Sequence, residues 1–339
     1  MRAIIVLLVV LVVAPFASAH HSSTAFFDRT IMVEIEGTVT DIFWRNPHVF
    51  LTLEVVREGG VIESWELEAG TTNTLMRRGF TANSVSIGDQ IKAAGAASRR
   101  GEPAIFISNL LLSDGTEVIA SDRDAVLRWT TEGNPIEDVY AADDLSGLGI
   151  FKVWGYRELY RLRNPLVLTP AAQAVKAAFN PRTDDPGLSC IPPGMPNAVL
   201  NPYPMEFIEE DGRIIQRIEE WDGTRIIHMT EGGVTQDYQP DHLGYSVGRF
   251  EANTLIVETT QVDFSLLDGD GTPMGPNAKI LERYTLSEDE TRLIYEVIVE
   301  DSDNLLEPAI WENVWVHKPG VMVMPFECTL RDTVSPVYQ

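Results

Sequence analysis

The chain is poor in cysteine and poor in basic side chains for its length. Two cysteines occur among 339 residues, too few for a disulfide-dense small domain or a four-cysteine zinc site. Lys and Arg number 26 against 50 Asp and Glu, a formal net charge of -24. This excess argues against nucleic acid as a partner, because affinity for nucleic acid comes mainly from basic side chains that neutralise phosphates. It argues equally against docking on anionic lipid.

Several catalytic motifs are also missing. The sequence contains no Ser-x-x-Lys, no Walker pattern and no His-Glu-x-x-His. No nucleophile with a neighbouring general base can be identified, so we expect a binding protein rather than an enzyme. The hydrophobic fraction of 44% is ordinary for globular domains, and the length suggests about two of them.

Residues 1–19 have the features of a secretory signal peptide. Arg2 provides the positive start, Ile4–Val13 an apolar stretch, and Ala17 and Ala19 a small-residue cleavage site. Cleavage would place the protein in the periplasm or outside the cell; the alternative is an uncleaved N-terminal anchor. No later run is apolar enough for a membrane helix, so we expect no membrane span after cleavage.

The predicted location gives the two cysteines a meaning. Cys190 and Cys328 form an even pair in an oxidising compartment, which favours one disulfide. Two free thiols used for metal or redox chemistry are the alternative.

Residues 20–115 have the pattern of an OB-like five-stranded barrel. Three alternating strands precede a short helix over Thr71–Gly79, and two more strands follow around Gln90–Ala97 and Ala104–Leu112. Residues 116–189 are predicted to be a connector whose helix begins at Thr169.

Residues 190–339 are predicted to form a larger antiparallel β-barrel or sandwich, so the whole chain is classed as all-β. The candidate strands are Met205–Glu210, Arg213–Trp221, Thr224–Met229, Thr254–Thr260, Lys279–Leu286, Arg292–Asp301, Ile310–His317 and Val321–Cys328. Aromatic residues on or beside these strands would line an apolar ligand cavity in a roomy barrel and would be core packing in a filled one: Tyr284, Tyr295, Trp311, Trp315, Phe250 and Phe326.

The histidines near the predicted cleavage site form a candidate metal site. Cleavage after Ala19 would make His20 the first residue, and its free amine and imidazole can chelate one metal ion. A further imidazole from His48 or His21 would complete a three-nitrogen set suited to copper. The alternative is that the terminal histidines are incidental and that His48 bonds only to the protein.

Two other motifs are weaker. Asp241-His242 could be an orienting pair for a general base. Asp268-Gly269-Asp270-Gly271 imitates the start of a calcium loop but lacks its later ligands, so a simple acidic turn is the favoured interpretation.

The first domain contains a characteristic set of short motifs, namely His20-His21-Ser22, Gly37-Thr38-Val39 and Asn46-Pro47-His48. As a set they resemble a family of small secreted bacterial proteins of unknown function, over residues 20 to about 115. By that resemblance His20, His21 and His48 are the family's histidines, and no activity is implied.

Residues from Cys190 onward resemble a second uncharacterised secreted bacterial type, through Cys190-Ile191-Pro192-Pro193-Gly194 and Ser246-Val247-Gly248-Arg249. Here Tyr245 stands where that type has a histidine, which weakens the case for a metal site in this half.

The sequence therefore predicts a secreted binding protein. Its leading ligand is copper or another divalent metal held by His20, His21 and His48. The alternatives are a small apolar ligand inside the second barrel, or a basic protein partner on an acidic face.

Overall fold

The computed structural model describes residues 23–120, 126–132, 147–156, 161–229 and 238–331, together with 335 and 337. Strands dominate and helices are short, as the all-β prediction requires. The strands form two separate sheets, each of which closes on itself. Among the described residues, no helix combines the length and the apolar character needed to cross a membrane.

The first sheet is the predicted OB-like barrel. Its strands are β1 (Phe27–Phe43), β2 (Phe50–Val56), β3 (Ile62–Glu68), β4 (Gln90–Ser98), β5 (Ala104–Leu111) and the short β6 (Glu117–Ile119). The order is β3-β2-β1-β4-β5-β6, and a parallel pairing of β3 with β5 closes the first five into a ring. Helix α1 (Ser23–Phe26) precedes β1, and α2 (Thr72–Arg77) connects β3 to β4.

Local chemistry explains these elements. Ile35 and Val39 of β1 are buried while the intervening Glu36 and Thr38 face outward, which is the period of two read from the sequence. Helix α2 begins at Thr71, whose hydroxyl accepts a hydrogen bond from the Thr74 N–H at 3.2 Å.

The second sheet is a closed ring of nine strands with one further short strand. The members are β7 (Val153–Tyr156), β8 (Arg161–Leu162), β9 (Met205–Glu210), β10 (Arg213–Ile218), β11 (Gly223–His228), β12 (Tyr245–Glu251), β13 (Thr254–Thr260), β14 (Lys279–Leu286), β15 (Arg292–Glu300) and β16 (Ala309–His317). Strand β16 pairs with both β15 and β7, which closes the ring, and β8 pairs with β16 beyond the end of β7.

The segment between the barrels contains α3 (Pro170–Ala178), and α4 (Asn197–Leu200) precedes β9. Helix α3 starts as predicted, because the Thr169 hydroxyl accepts from the Ala172 N–H at 3.3 Å. Single 3₁₀ turns lie at Glu58–Gly60, Pro186–Ser189 and Glu220–Asp222.

Four strands were not predicted, and one predicted strand is wrong. Strand β6 extends the first sheet, and β7, β8 and β12 belong to the second; β6, β7 and β8 lie in the segment that was predicted to be a connector. Val321–Cys328 is not a strand, although Cys328 makes an isolated bridge. Pro325 has no N–H for a ladder, and the polar groups around it are satisfied by side chains, since Asn73 donates to the Pro325 carbonyl at 3.1 Å and Asp222 accepts from the Phe326 N–H at 2.8 Å.

Candidate functional site

The segment after β16 leaves the second barrel and runs along the first. Buried Asn46 of the first barrel forms hydrogen bonds with this segment. Its side-chain N–H donates to the Phe326 carbonyl, and its backbone carbonyl accepts from the Thr329 N–H at 2.9 Å. Its Oδ1 accepts from the N–H and the hydroxyl of Thr72 at 2.8 and 2.9 Å. Asn46 therefore joins the start of α2 to the C-terminal segment.

The predicted disulfide anchors the same segment. Cys190 and Cys328 are bonded, with their Cα atoms 5.9 Å apart and 138 residues apart in sequence. Cys190 ends the 3₁₀ turn at Pro186–Ser189, and Cys328 makes a parallel bridge with Asn46. The bond thus links the connector to a strip of chain that lies against the first barrel.

Acidic side chains of the connection between β10 and β11 complete this interface. The Glu219 side chain is fully buried. Its two carboxylate oxygens accept hydrogen bonds from Nη1 and Nη2 of Arg77 in α2, with 2.9 Å between Nη1 and Oε1. It also accepts from the Met324 N–H at 3.0 Å. Asp222 accepts from the N–H groups of Phe326 and Glu327 at 2.8 and 3.1 Å.

A cavity of about 660 Å³ lies between the two barrels. From the first barrel and α1 it is lined by Phe26, Phe43, Phe50 and Phe106. From the rest of the chain it is lined by Phe179, Tyr203, Trp221 and Phe326. Its volume lies within the range of small-molecule sites, and aromatic side chains are common in the walls of such sites.

The rings of the wall are packed on one another. Phe326 lies between Tyr203 and Trp221, with centroid distances of 5.9 and 5.2 Å. The His48 ring is 6.5 Å from the Phe50 ring and 6.4 Å from the Phe106 ring. These edge and tilted contacts hold the rings in place, so the cavity wall is formed before any ligand arrives.

His48 is the predicted metal ligand that the structure places in the cavity wall. Its Nδ1 lies 2.5 Å from Oε1 of Glu68, a side chain only 2% exposed. A carboxylate on Nδ1 fixes the ring orientation and leaves Nε2 as the nitrogen for a ligand. His20 and His21 lie outside the described residues. Among the described side chains, no three His, Cys, Asp or Glu group as a metal site.

Two cations of the wall, Arg182 and Arg331, are stacked on aromatic rings. The Arg331 guanidinium lies 4.7 Å from the Phe50 centroid and 2.6 Å from a carboxylate oxygen of Glu66. Arg182 lies 5.1 Å from the Phe26 centroid and donates to the Val337 carbonyl. These contacts use the positive charges to hold the cavity wall together.

Asp268 and Asp270 form the acidic turn that the sequence favoured over a calcium loop. Asp268 Oδ1 accepts from the N–H groups of Asp270 and Thr272, both at 3.0 Å, and its Oδ2 accepts from the Thr272 hydroxyl at 2.6 Å. Asp270 lines the cavity. Burial, reinforced by the charge of Asp268, raises the pKa of Asp270 to about 6.

The remaining described histidines serve separate parts of the second barrel. His228 stacks on Tyr245 at 4.7 Å, and burial lowers the His228 pKa. His317 Nδ1 lies 3.2 Å from the Val153 carbonyl. Asp241 accepts from the N–H groups of Leu243 and Gly244, both at 2.8 Å, so its carboxylate shapes the turn that contains His242.

The interior of the second barrel is occupied by side chains. Arg225 and Glu282 form a fully buried ion pair. The hydroxyls of Tyr284 and Tyr295 donate to Glu282 at 2.7 and 2.9 Å. Burial, together with the Glu282 charge, raises both tyrosine pKa values well above the usual 10. Trp311 and Trp315 are also buried in this core. Phe326 lines the cavity between the barrels instead.

Sequence reasoning missed the cavity because its wall is assembled from segments far apart in the chain. Phe50, Phe179, Trp221 and Phe326 have no shared motif or spacing. The useful signal was the Cys190–Cys328 pair, which brings two of these regions together.

Comparison with known proteins assigns only part of the chain. Residues 8–105 match the Family of unknown function (DUF6152). The match spans the first barrel up to the start of β5 and agrees with the expected likeness to an uncharacterised family. No curated protein matches the chain. Function must therefore be argued from the site.

Proposed function

We propose that the protein binds a small, mainly aromatic molecule in the cavity between its two barrels, outside the cytoplasm after removal of residues 1–19. The observation that carries this proposal is the cavity of about 660 Å³ with eight aromatic side chains in its wall. Sites of this size and character at domain interfaces are typical of small-molecule binding. The apolar-ligand alternative drawn from the sequence thereby moves from the second barrel to the junction.

The location follows from how each space is filled. In the second barrel, Trp154, Tyr284 and Trp315 are fully buried in the core, and the Tyr284 hydroxyl donates to Glu282 of the buried Arg225–Glu282 pair. Between the barrels, the cavity is bounded by aromatic rings that contact one another, such as Phe326 with Tyr203 and Trp221. An apolar ligand there would remove aromatic surface from water, which contributes about 25 cal/mol per Å².

A cavity-filling variant tests the proposal. Gly70 lines the cavity, a Cβ built on it meets nothing within 4 Å, and its φ is ordinary. Gly70→Trp should therefore place an indole in the cavity without disturbing the backbone. The probe is the neutral dye N-phenyl-1-naphthylamine, whose fluorescence rises in apolar surroundings. We expect saturable binding to the native protein and at least tenfold weaker binding to Gly70→Trp.

Asn83→Trp is the matched control. Asn83 is exposed, lies in the same connection between β3 and β4, and does not line the cavity. This variant should bind the dye as the native protein does. Equal affinity in Gly70→Trp and Asn83→Trp, or no saturable binding at all, would refute the proposal.

A metal site at His48 is the second candidate, and the His48–Glu68 contact favours it. Histidines that bind metals commonly donate their other ring N–H to a carboxylate, which here would be Glu68 at 2.5 Å. The proposed set is the free amine and imidazole of His20 with His48 or His21, and copper is the metal such nitrogens prefer.

Copper titration of protein processed by its own signal sequence tests this candidate, with intact mass fixing the first residue. Tight uptake of one Cu(II) that is lost in His48→Ala and retained in His242→Ala would support it. Weak uptake that is indifferent to both substitutions would remove it.

A further inference from the structure

Asp270 stands out among the charged side chains of the cavity wall. The carboxylate of its neighbour Asp268 is hydrogen-bonded within the turn, where it accepts from Thr272 and from the Asp270 N–H. Within the described part of the chain, the Asp270 carboxylate itself accepts no hydrogen bond and forms no ion pair. It is half-buried and lines the cavity.

The turn is fixed in place by an aromatic ring of the same wall. A Cβ built on Gly271, which has a φ of 76°, would lie 2.2 Å from a ring atom of Phe179. Phe179 follows α3 and lines the cavity. The turn that carries Asp270 is therefore packed against Phe179.

Three positive side chains near the turn or in the cavity wall already have partners. Lys176 lies 3.5 Å from Asp268 Oδ2 and donates to the Thr272 hydroxyl at 2.6 Å. Arg331 is paired with Glu66, and Arg182 donates to a backbone carbonyl. Among the described residues Asp270 thus has no ion-pair partner of its own, and Lys176, which pairs with Asp268, acts on it only from a distance.

We propose that the ligand of this cavity carries an ammonium group or another organic cation, and that Asp270 is its counter-ion. The inference rests on the proposed function, since it specifies the ligand class of the same cavity. Aromatic faces attract cations through the ring quadrupole, and a nearby carboxylate adds direct attraction in a partly desolvated site. An arylalkylamine, which is protonated at neutral pH, would contact the aromatic rings and pair with the Asp270 carboxylate.

Binding should then depend on pH. The Asp270 carboxyl has a pKa of about 6, and only its ionised form attracts a cation, so affinity should fall as pH drops through that value. Asp268 and Lys176 face it within the turn and α3. Other ionisable groups line the same cavity, namely Arg29, His48, Arg182, Asp185, Glu220 and Arg331. The pH dependence of affinity that is caused by Asp270 is therefore the part that is lost in Asp270→Asn.

The test compares two probes of the same shape, 1-naphthylmethylamine, which is protonated at neutral pH, and the uncharged 1-naphthalenemethanol. At pH 7.5 we expect the amine to bind about tenfold more tightly than the alcohol, and at pH 5 we expect the preference to fall to near one. Asp270→Asn should lose the preference at both pH values. Asp263→Asn, an exposed acid outside the cavity wall, should keep it.

The outcomes separate the two proposals. Saturable binding of both probes that Gly70→Trp weakens, but without a preference for the amine, would overturn the cation inference and leave the cavity function intact. A preference that survives in Asp270→Asn would also overturn the inference. If neither probe binds, both the cation inference and the cavity function are overturned.

Discussion

Glu219 of the second barrel and Arg77 of the first form an ion pair across the interface between the barrels, and the Glu219 carboxylate is fully buried. Arg77 reaches it from the end of α2, and Met324 of the C-terminal segment donates to the same carboxylate at 3.0 Å. The pair therefore fixes three parts of the chain around one side of the cavity.

Arg77→Ala should destabilise the protein by about 3 kcal/mol, because it leaves a buried carboxylate without its counter-charge. Urea unfolding followed by circular dichroism measures the effect. Arg57→Ala is the matched control, since Arg57 and Glu63 form an exposed pair at 2.8 Å. Its cost should stay within about 1 kcal/mol. Similar costs for the two variants would contradict the role given to Glu219.

Asn46→Asp probes the interface with an almost unchanged shape. The new oxygen can no longer donate to the Phe326 carbonyl, although the acceptor toward Thr72 remains. Two facing acceptors and an unsatisfied carbonyl should cost about 2 kcal/mol of unfolding free energy. Asn83→Asp, on an exposed turn, should cost almost nothing in the same urea titration.

Removing the disulfide should lower stability more than either substitution. The Cys190–Cys328 bond closes a loop of 138 residues, for which chain entropy gives up to about 5 kcal/mol. The double variant Cys190→Ser, Cys328→Ser should therefore unfold at much lower urea concentration than the oxidised native protein. The reduced native protein should behave like the variant. Unchanged unfolding after reduction would show that the interface is held without the bond.

Asp270 should leave a pH signature on stability as well as on binding. Its pKa is raised from 3.8 to about 6, so the folded state favours the protonated form and is progressively destabilised as pH rises between those values. Asp270→Asn removes this cost. Thermal unfolding should show a higher midpoint for the variant at pH 7.5 and little difference at pH 3.5. A lower midpoint at pH 7.5 would mean that the carboxylate stabilises the fold.

The element order could be predicted where a strand has one buried face. The alternation of Ile35 and Val39 with Glu36 and Thr38 defined β1, and Thr71 and Thr169 marked two helix starts. Strands β7 and β8 were not predicted because they are short and are fixed by long-range pairing with β16. Short segments of this kind have too few residues to display a period.

The candidate site was predictable only in part. The cysteine pairing followed from the even number of cysteines and the predicted compartment, and His48 lies in the cavity wall as well as in the predicted metal set. The cavity itself depends on how the C-terminal segment crosses to the first barrel, which is set by Asn46, Glu219 and Asp222. Such contacts join residues far apart in sequence and have no local pattern.

Crystals soaked with 4-bromobenzyl alcohol would test the cavity most directly, because the bromine atom can be located by anomalous scattering. The account predicts one strong bromine peak between the two barrels, beside the rings of Phe50 and Trp221, and its loss in Gly70→Trp crystals. Bromine found only elsewhere on the protein, with no density between the barrels, would contradict it.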